Sequence, residues 1–250
     1  MASIAPAVSS GLLAPPEPLP RYVLRHGVMP VVGALVLSLP LMRLGGDTWW
    51  ADRLYAGQGH VWALRSSFLL RTLLHDDMRK LVGGIWILLA STLAWDWRGA
   101  VSRRWHAPLR YVLIAMLTSV SLAALLKGVT HVDCPWDLAR YGGAFGGRGL
   151  LDWHAVDPGP GRCFPAGHAS AGYAWVALYF MCLAVKPAWR WSALALGLGL
   201  GLVFGVAQQL RGAHFLSHDL WALTVCWITS AMLARWLLPA MRTNGQGHAP

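Results

Sequence analysis

Three histidines and one lysine are the residues of this sequence whose types and spacing could do chemistry. His168 ends the stretch Cys-Phe-Pro-Ala-Gly-His, and His214 and His218 lie four residues apart in Gly-Ala-His-Phe-Leu-Ser-His-Asp. Lys127 lies at the end of another apolar run. Histidine can act as a nucleophile or as a general acid because its pKa lies near neutral pH. Polar groups at the ends of apolar runs indicate a phosphate-handling site on a membrane scaffold.

Phosphate transfer through a covalent intermediate needs a nucleophile, an acid for the leaving oxygen, and cations or amides for the remaining oxygens. We assign His214 as the nucleophile and His168 as the acid. His218 would share a helix face with His214 and could orient its ring. The candidates for binding the phosphate oxygens from this pattern alone are Lys127, Arg211 and Gly167.

Other interpretations of the same residues remain open at this stage. His214 and His218 could bind a metal, with His131 or His168 as a third ligand, and paired membrane histidines can also bind haem. No carboxylate-rich or Cys-x2-Cys partner accompanies them, so we expect no metal. Haem would need ligands facing each other at membrane depth, whereas these histidines lie at the ends of apolar runs, so we expect no cofactor. Arg211 could equally be an interfacial anchor.

The composition places these elements in a membrane. The chain is 56% hydrophobic and 13% charged, with a mean hydropathy of +0.45, whereas soluble domains carry about 25% charged residues. The 15 tryptophans suit the belts at membrane interfaces. The net charge of +10 does not indicate nucleic acid, because the arginines lie between apolar runs instead of forming one patch.

We therefore predict an all-α, polytopic helical bundle with six transmembrane helices. The apolar runs are 27–44, 81–95, 109–126, 169–185, 191–210 and 220–238. A seventh stretch, 61–74, contains Arg65 and Arg71, so we predict a helix lying in the interface. The glycines near residue 200 predict close helix packing.

Basic residues in the short connections set the expected orientation. They precede the first run and fill the second-to-third and fourth-to-fifth connections, which predicts that both termini are cytoplasmic. The histidines and the 127–168 loop then lie on the outer side, which is the periplasm if this is a bacterial inner membrane. We predict disordered tails at 1–20 and 243–250, with one membrane domain at 21–242.

The motifs resemble those of the type 2 phosphatidic-acid phosphatase superfamily, whose pattern is Lys-x6-Arg-Pro, Pro-Ser-Gly-His and Ser-Arg-x5-His-x3-Asp. Lys127, His168 and His214 stand on the family's lysine, acid and nucleophile positions. The resemblance implies metal-independent hydrolysis of a lipid phosphate or polyprenyl diphosphate through a phosphohistidine. It does not select among substrates or fix the oligomeric state.

Several positions depart from the family pattern, among them Ala166, which stands where the family has serine. Cys134 and Gln208 stand where the family has arginine, and His218 stands where it has the aspartate that orients the nucleophile. Gln208 is expected near the phosphate. The residues that could supply the missing positive charge are Arg211 and, from the loop, Arg140, Arg148 and Arg162. Asp219 could replace the aspartate only with a shift of the backbone.

Cys134 and Cys163 both lie in the outer loop. A cysteine at the family's arginine position leads us to predict a disulfide between them, although two unpaired cysteines fit the sequence nearly as well. The alternatives to the phosphatase are a non-catalytic lipid-phosphate binder or transporter and a metal-dependent membrane enzyme. Clean spans with polar ends favour a phosphatase over a transporter.

Overall fold

Helices carry the fold in the part of the chain that the computed structural model describes, which is residues 17–71, 78–95, 103–150 and 159–238. We label them α1 Leu19–Arg43, α2 Gly46–Ala56, α3 Met78–Trp95, α4 Arg103–Thr130, α5 Gly167–Val185, α6 Arg190–Leu210 and α7 Leu216–Leu237. Short 3-10 turns lie at Ala63–Ser66, Pro135–Asp137, Ala139–Tyr141 and Pro187–Trp189. The predicted all-α class is confirmed.

Each of the six predicted runs coincides with a helix. Five helices in the described ranges are long and apolar enough to cross a membrane, and the sixth, α3, has the shorter apolar stretch Lys80–Ala94. The protein is therefore an integral membrane protein. Helix α1 begins at Leu19, inside the predicted tail, because Pro20 in its first turn has a backbone angle already suited to a helix. Residues 1–16 and 239–250, including the predicted C-terminal tail, lie outside the described ranges.

The additional helix lies elsewhere than predicted. The regular helix near this region is α2 at Gly46–Ala56, whereas the described part of 61–74 forms a 3-10 turn at Ala63–Ser66 and a π-helical turn over 68–71. The positive φ angles of Gly59 and His60 break the helix before this segment. Gln58 connects this segment to α6, because its side-chain oxygen accepts from the Leu64 amide and its side-chain nitrogen donates to the carbonyl of Leu210, both at 2.9 Å. Residues 72–74 lie outside the described ranges.

The buried core lies among α4, α5 and α7, with α6 packed closely on α5. Tyr111 and Phe180 are fully buried there. A Cβ added at Gly172 of α5 would lie 2.6 Å from the backbone nitrogen of Gly201 of α6. The predicted close packing of glycines is therefore present at Gly201, whereas a Cβ at Gly199 would meet nothing within 4 Å.

Four helix ends meet at one end of this bundle. The end of α4 contacts the residues before α5, because the Thr130 hydroxyl donates to the carbonyl of Phe164 at 2.6 Å. The start of α5 contacts the start of α7 through a 3.1 Å hydrogen bond from the Ala166 amide to the carbonyl of His218. The four ends are the end of α4, the start of α5, the end of α6 and the start of α7. The predicted catalytic and phosphate-binding residues all lie at or next to these ends or in the loop between α4 and α5.

Candidate active site

His214 and His218 form a buried pair at the start of α7. Their Nδ1 atoms are 3.4 Å apart, and the contact is made across the helix start, because His214 lies in the extended segment just before α7 and His218 in its first turn. The rings of Phe164 and Phe215 meet His218 edge-on at centroid distances of 5.4 and 5.3 Å. These aromatic contacts hold the His218 ring against His214.

The surroundings of His214 favour the neutral form of its ring. Burial lowers the pKa of His214 well below its usual value, and the positive charges that His218, Lys127 and His168 can carry lower it further. A hydrogen bond with the backbone of Cys163 opposes this shift in the pKa of His214 only in part. A neutral imidazole keeps a nitrogen lone pair, which a nucleophile requires.

Lys127 and His168 lie beside this pair on neighbouring helix ends. The Lys127 Nζ atom is 3.5 Å from where a Cβ of Gly167 would lie. Glycine at the first position of α5 thus leaves room for the lysine to reach the N-terminal end of that helix. His168 follows in the first turn, where exposed backbone N–H groups and the helix dipole favour an anion.

The loop between α4 and α5 is tied down in two ways. Cys134 and Cys163 are paired in a disulfide with a Cα–Cα distance of 5.2 Å. The buried carboxylate of Asp133 accepts hydrogen bonds from the amides of Arg148, Gly159 and Gly161 at 2.7 to 3.0 Å. Together these bonds fix the chain on both sides of residues 151–158 and place Cys163 against the histidines.

Gln208 and Arg211 act as one unit at the end of α6. The guanidinium of Arg211 donates to the side-chain oxygen of Gln208 at 3.1 Å and to the backbone carbonyl of Arg65 at 2.9 Å. Both side chains are buried. Arg211 therefore brings a positive charge next to Gln208, the position that has arginine in the family pattern.

Asp219 is directed away from the position that orients His214. Its carboxylate accepts a short hydrogen bond from the side-chain amide of Gln209, and Gln209 in turn accepts from the Trp50 indole at 2.8 Å. The side chain that contacts His214 from the orienting position is His218. Asp219 instead joins α7 to α6 and α2.

The two exposed arginines proposed from the loop, Arg140 and Arg162, have different neighbours. Arg162 lies close enough to Lys127 to influence it electrostatically. Arg140 instead forms a bidentate ion pair with Asp52 of α2, with N–O distances of 2.8 and 2.6 Å. This pair lowers the pKa of the Asp52 carboxyl. The structure thus brings Arg162 toward the site and directs Arg140 to α2.

Two contacts at the site had no signal in the sequence. The Asp47 carboxylate accepts from the amide and the hydroxyl of Ser217 at 2.9 and 2.5 Å, so it caps α7 just before His218. Burial nevertheless raises the pKa of Asp47. The Trp62 indole lies against Gly212, whose φ of +74° and close contact leave no space for a side chain.

A comparison with family models matches residues 108–242, more than half of the 250-residue chain, to the PAP2 superfamily. The chain belongs to this superfamily. The suspected relationship to type 2 phosphatidic-acid phosphatases is therefore confirmed. No curated protein and no solved structure is similar enough to this chain to match it.

Membership in the PAP2 superfamily indicates a phosphatase that acts at a membrane on a substrate bearing phosphate. The matched region contains Lys127, His168 and His214 but not α2 or Trp62. Among the described residues, no group of three or more His, Cys, Asp or Glu side chains is placed to hold a metal ion.

Proposed function

We propose that this protein hydrolyses a lipid phosphate monoester or diphosphate through a phosphohistidine on His214. The observation that carries the proposal is the position of the buried His214 beside Lys127, His168 and the start of α5. The arrangement combines a nucleophile, an acid and an anion-binding helix end within one small region.

The first step would form a bond from His214 to phosphorus and break the bond from phosphorus to the leaving oxygen. Nδ1 of His214 faces His218, so Nε2 would be the nitrogen that attacks. Protonated His168 would give its proton to the leaving oxygen. Water would then attack phosphorus while His168 takes a proton from it, which breaks the P–N bond and releases phosphate.

Positive charges and amides would hold the other phosphate oxygens. Lys127 is the main cation because it lies at the N-terminal end of α5. Arg162 supports it from the loop, and Arg211 lies beside Gln208. No step needs a metal, so we propose that activity is metal-independent.

The likeness to lipid phosphatases and the predicted orientation lead us to propose action at the outer, periplasmic face of a bacterial inner membrane. Candidate substrates are undecaprenyl diphosphate, lipid A phosphates and phosphatidylglycerol phosphate. A phosphotransferase would use the same intermediate with an alcohol in place of water.

Phosphate release from a panel of these lipids by the purified full-length protein tests the proposal. We expect His214→Ala to lose several orders of magnitude in turnover, because it removes the covalent route. With a substrate whose leaving group needs no proton, His168→Ala should still form the phosphohistidine. The variant should then retain it as a labelled phosphoprotein, because His168 is also the base that activates water. His60→Asn is the control, because His60 is an exposed histidine whose positive φ suits asparagine.

Unchanged turnover in both His214→Ala and His168→Ala would refute the mechanism. Loss of turnover on chelation would favour the metal-dependent alternative. The replacement of family arginines by Cys134 and Gln208 favours, as second candidate, a protein that binds lipid phosphates without hydrolysing them. Tight binding without any phosphate release by the wild-type protein would support that candidate.

A further inference from the structure

A cavity of about 360 Å³ lies at the other end of the bundle, between the start of α1 and the end of α7. Its lining is mainly apolar but includes two basic residues, His26 and Arg235. Sites for small molecules have volumes of about 300 to 1,000 Å³ and combine apolar walls with a few polar groups. The cavity fits this description.

Both basic residues have a buried atom without a hydrogen-bond partner in the part of the chain that the structure describes. These atoms are Nδ1 of His26 and Nη1 of Arg235. Proteins seldom leave buried polar atoms unsatisfied. A guanidinium N–H can only donate, so the missing partner of Arg235 is a hydrogen-bond acceptor.

The backbone around His26 is held in an unusual form. Leu24–Val28 is a π-helical turn within α1, and such turns occur frequently at functional sites. The Trp227 indole donates to the carbonyl of His26 at 3.1 Å, and the Tyr22 hydroxyl donates to the carbonyl of Ala231 at 2.8 Å. These bonds fix the two walls of the cavity to each other.

The charges around the cavity and the side chains at its opening, here called the rim, indicate which ligand fits. Glu17 lies 3.8 Å from Nε2 of His26, but Arg21 and Arg25 are exposed in the same stretch of α1, so positive charge prevails. The apolar side chains of the rim are exposed, with Val23 at 47% and Met232 at 59%. On a membrane-spanning helix such side chains face lipid, so the cavity opens toward the bilayer.

We propose that this cavity binds an anionic phospholipid. Its phosphate oxygens would accept hydrogen bonds from Arg235 and His26, and part of one acyl chain would fill the apolar space. Arg235 lies roughly 25 Å along α7 from His218, at about 1.5 Å per residue. The lipid is therefore bound away from the histidines, and the inference does not rest on the proposed phosphatase mechanism.

Native mass spectrometry of the full-length protein, titrated with dioleoyl phosphatidylglycerol or dioleoyl phosphatidylcholine, tests this inference. We expect the wild-type protein to retain phosphatidylglycerol more strongly. Arg235→Gln should weaken that retention by about fivefold to tenfold, while Arg235→Lys keeps most of it. Arg190→Gln removes a cation from the same end of the bundle and should change little.

A second variant tests the apolar part of the cavity without altering charge. A Cβ at Gly27 would meet only Val23, at 3.9 Å, so Gly27→Leu should fold and occupy the space meant for the acyl chain. Retention of phosphatidylglycerol should fall in this variant. Equal retention of both lipids by the wild-type protein, or equal losses in Arg235→Gln and Arg190→Gln, would overturn the inference. Full displacement of the lipid by inorganic phosphate would also overturn it.

Discussion

Replacing His218 by aspartate restores the charge that the family pattern places beside the nucleophile. His218 contacts His214 through Nδ1, and this atom is bonded to Cγ just as Oδ1 is in aspartate. His218→Asp would therefore put a carboxylate oxygen near the position now 3.4 Å from Nδ1 of His214. His218→Asn gives the same shape without charge and is the matched control.

The size of the effect follows from this short distance. An opposite charge within about 4–6 Å shifts a pKa by roughly 1 to 3 units. Each unit corresponds to about 1.4 kcal/mol. The pKa of His214, which burial holds well below its usual value, would rise by this amount, and the imidazolium character that develops during attack would be stabilised equally.

The dependence of kcat/KM on pH measures this shift, because its acid limb reports the pKa of the essential base in the free enzyme. Protonated His214 cannot attack, so activity falls as pH drops through that pKa. The wild-type acid limb should lie well below pH 6.5, and His218→Asp should move it upward by about 1 to 3 pH units. If His218→Asp and His218→Asn have the same acid limb, His218 does not act electrostatically on the nucleophile.

Two further predictions concern the scaffold. The disulfide closes a loop with a sequence separation of 29 residues, so Cys134→Ser should lower the free energy of unfolding by about 3 to 4 kcal/mol. Two free thiols in unreduced wild-type peptides would contradict the disulfide and this prediction with it. Gly172→Ala should lower the thermal midpoint, because its Cβ would lie 2.6 Å from the α6 backbone. Gly199→Ala, which meets nothing within 4 Å, should leave that midpoint unchanged or raise it.

The sequence predicted those features that depend on local pattern. Apolar runs located the membrane helices, because a spanning helix needs about 20 mostly apolar residues. The four-residue spacing of His214 and His218 predicted their contact on the assumption of one helix, but His214 precedes α7, so the extended residues before that helix bring the two rings together. The positions of the polar motifs at the ends of apolar runs also predicted that His168 and Lys127 would lie near His214. Each of these inferences needs only neighbouring residues and the thickness of a bilayer.

Pairings between distant segments were beyond such patterns. Nothing near Arg140 indicates that it binds Asp52, and nothing near Gln209 indicates that it binds Asp219. The 61–74 stretch was predicted as a helix from its charges and length, but its anchoring to α6 by Gln58 is a tertiary contact. Polar partners are chosen by three-dimensional packing, which a local periodicity does not encode.

The cap that Asp47 provides for α7 has a consequence for how the protein is made. Asp47 and Ser217 are 170 residues apart, so the helix that carries His218 is synthesised long after its cap. Until α7 has been made, the Asp47 carboxylate lacks the partner that it has in the folded protein. A fragment beginning at residue 108 would contain the family's matched region yet leave the first turn of α7 without this partner. The segment that contains α2 therefore supplies a contact that the matched region lacks, and its co-expression in trans with such a fragment would show whether it can supply that contact as a separate chain.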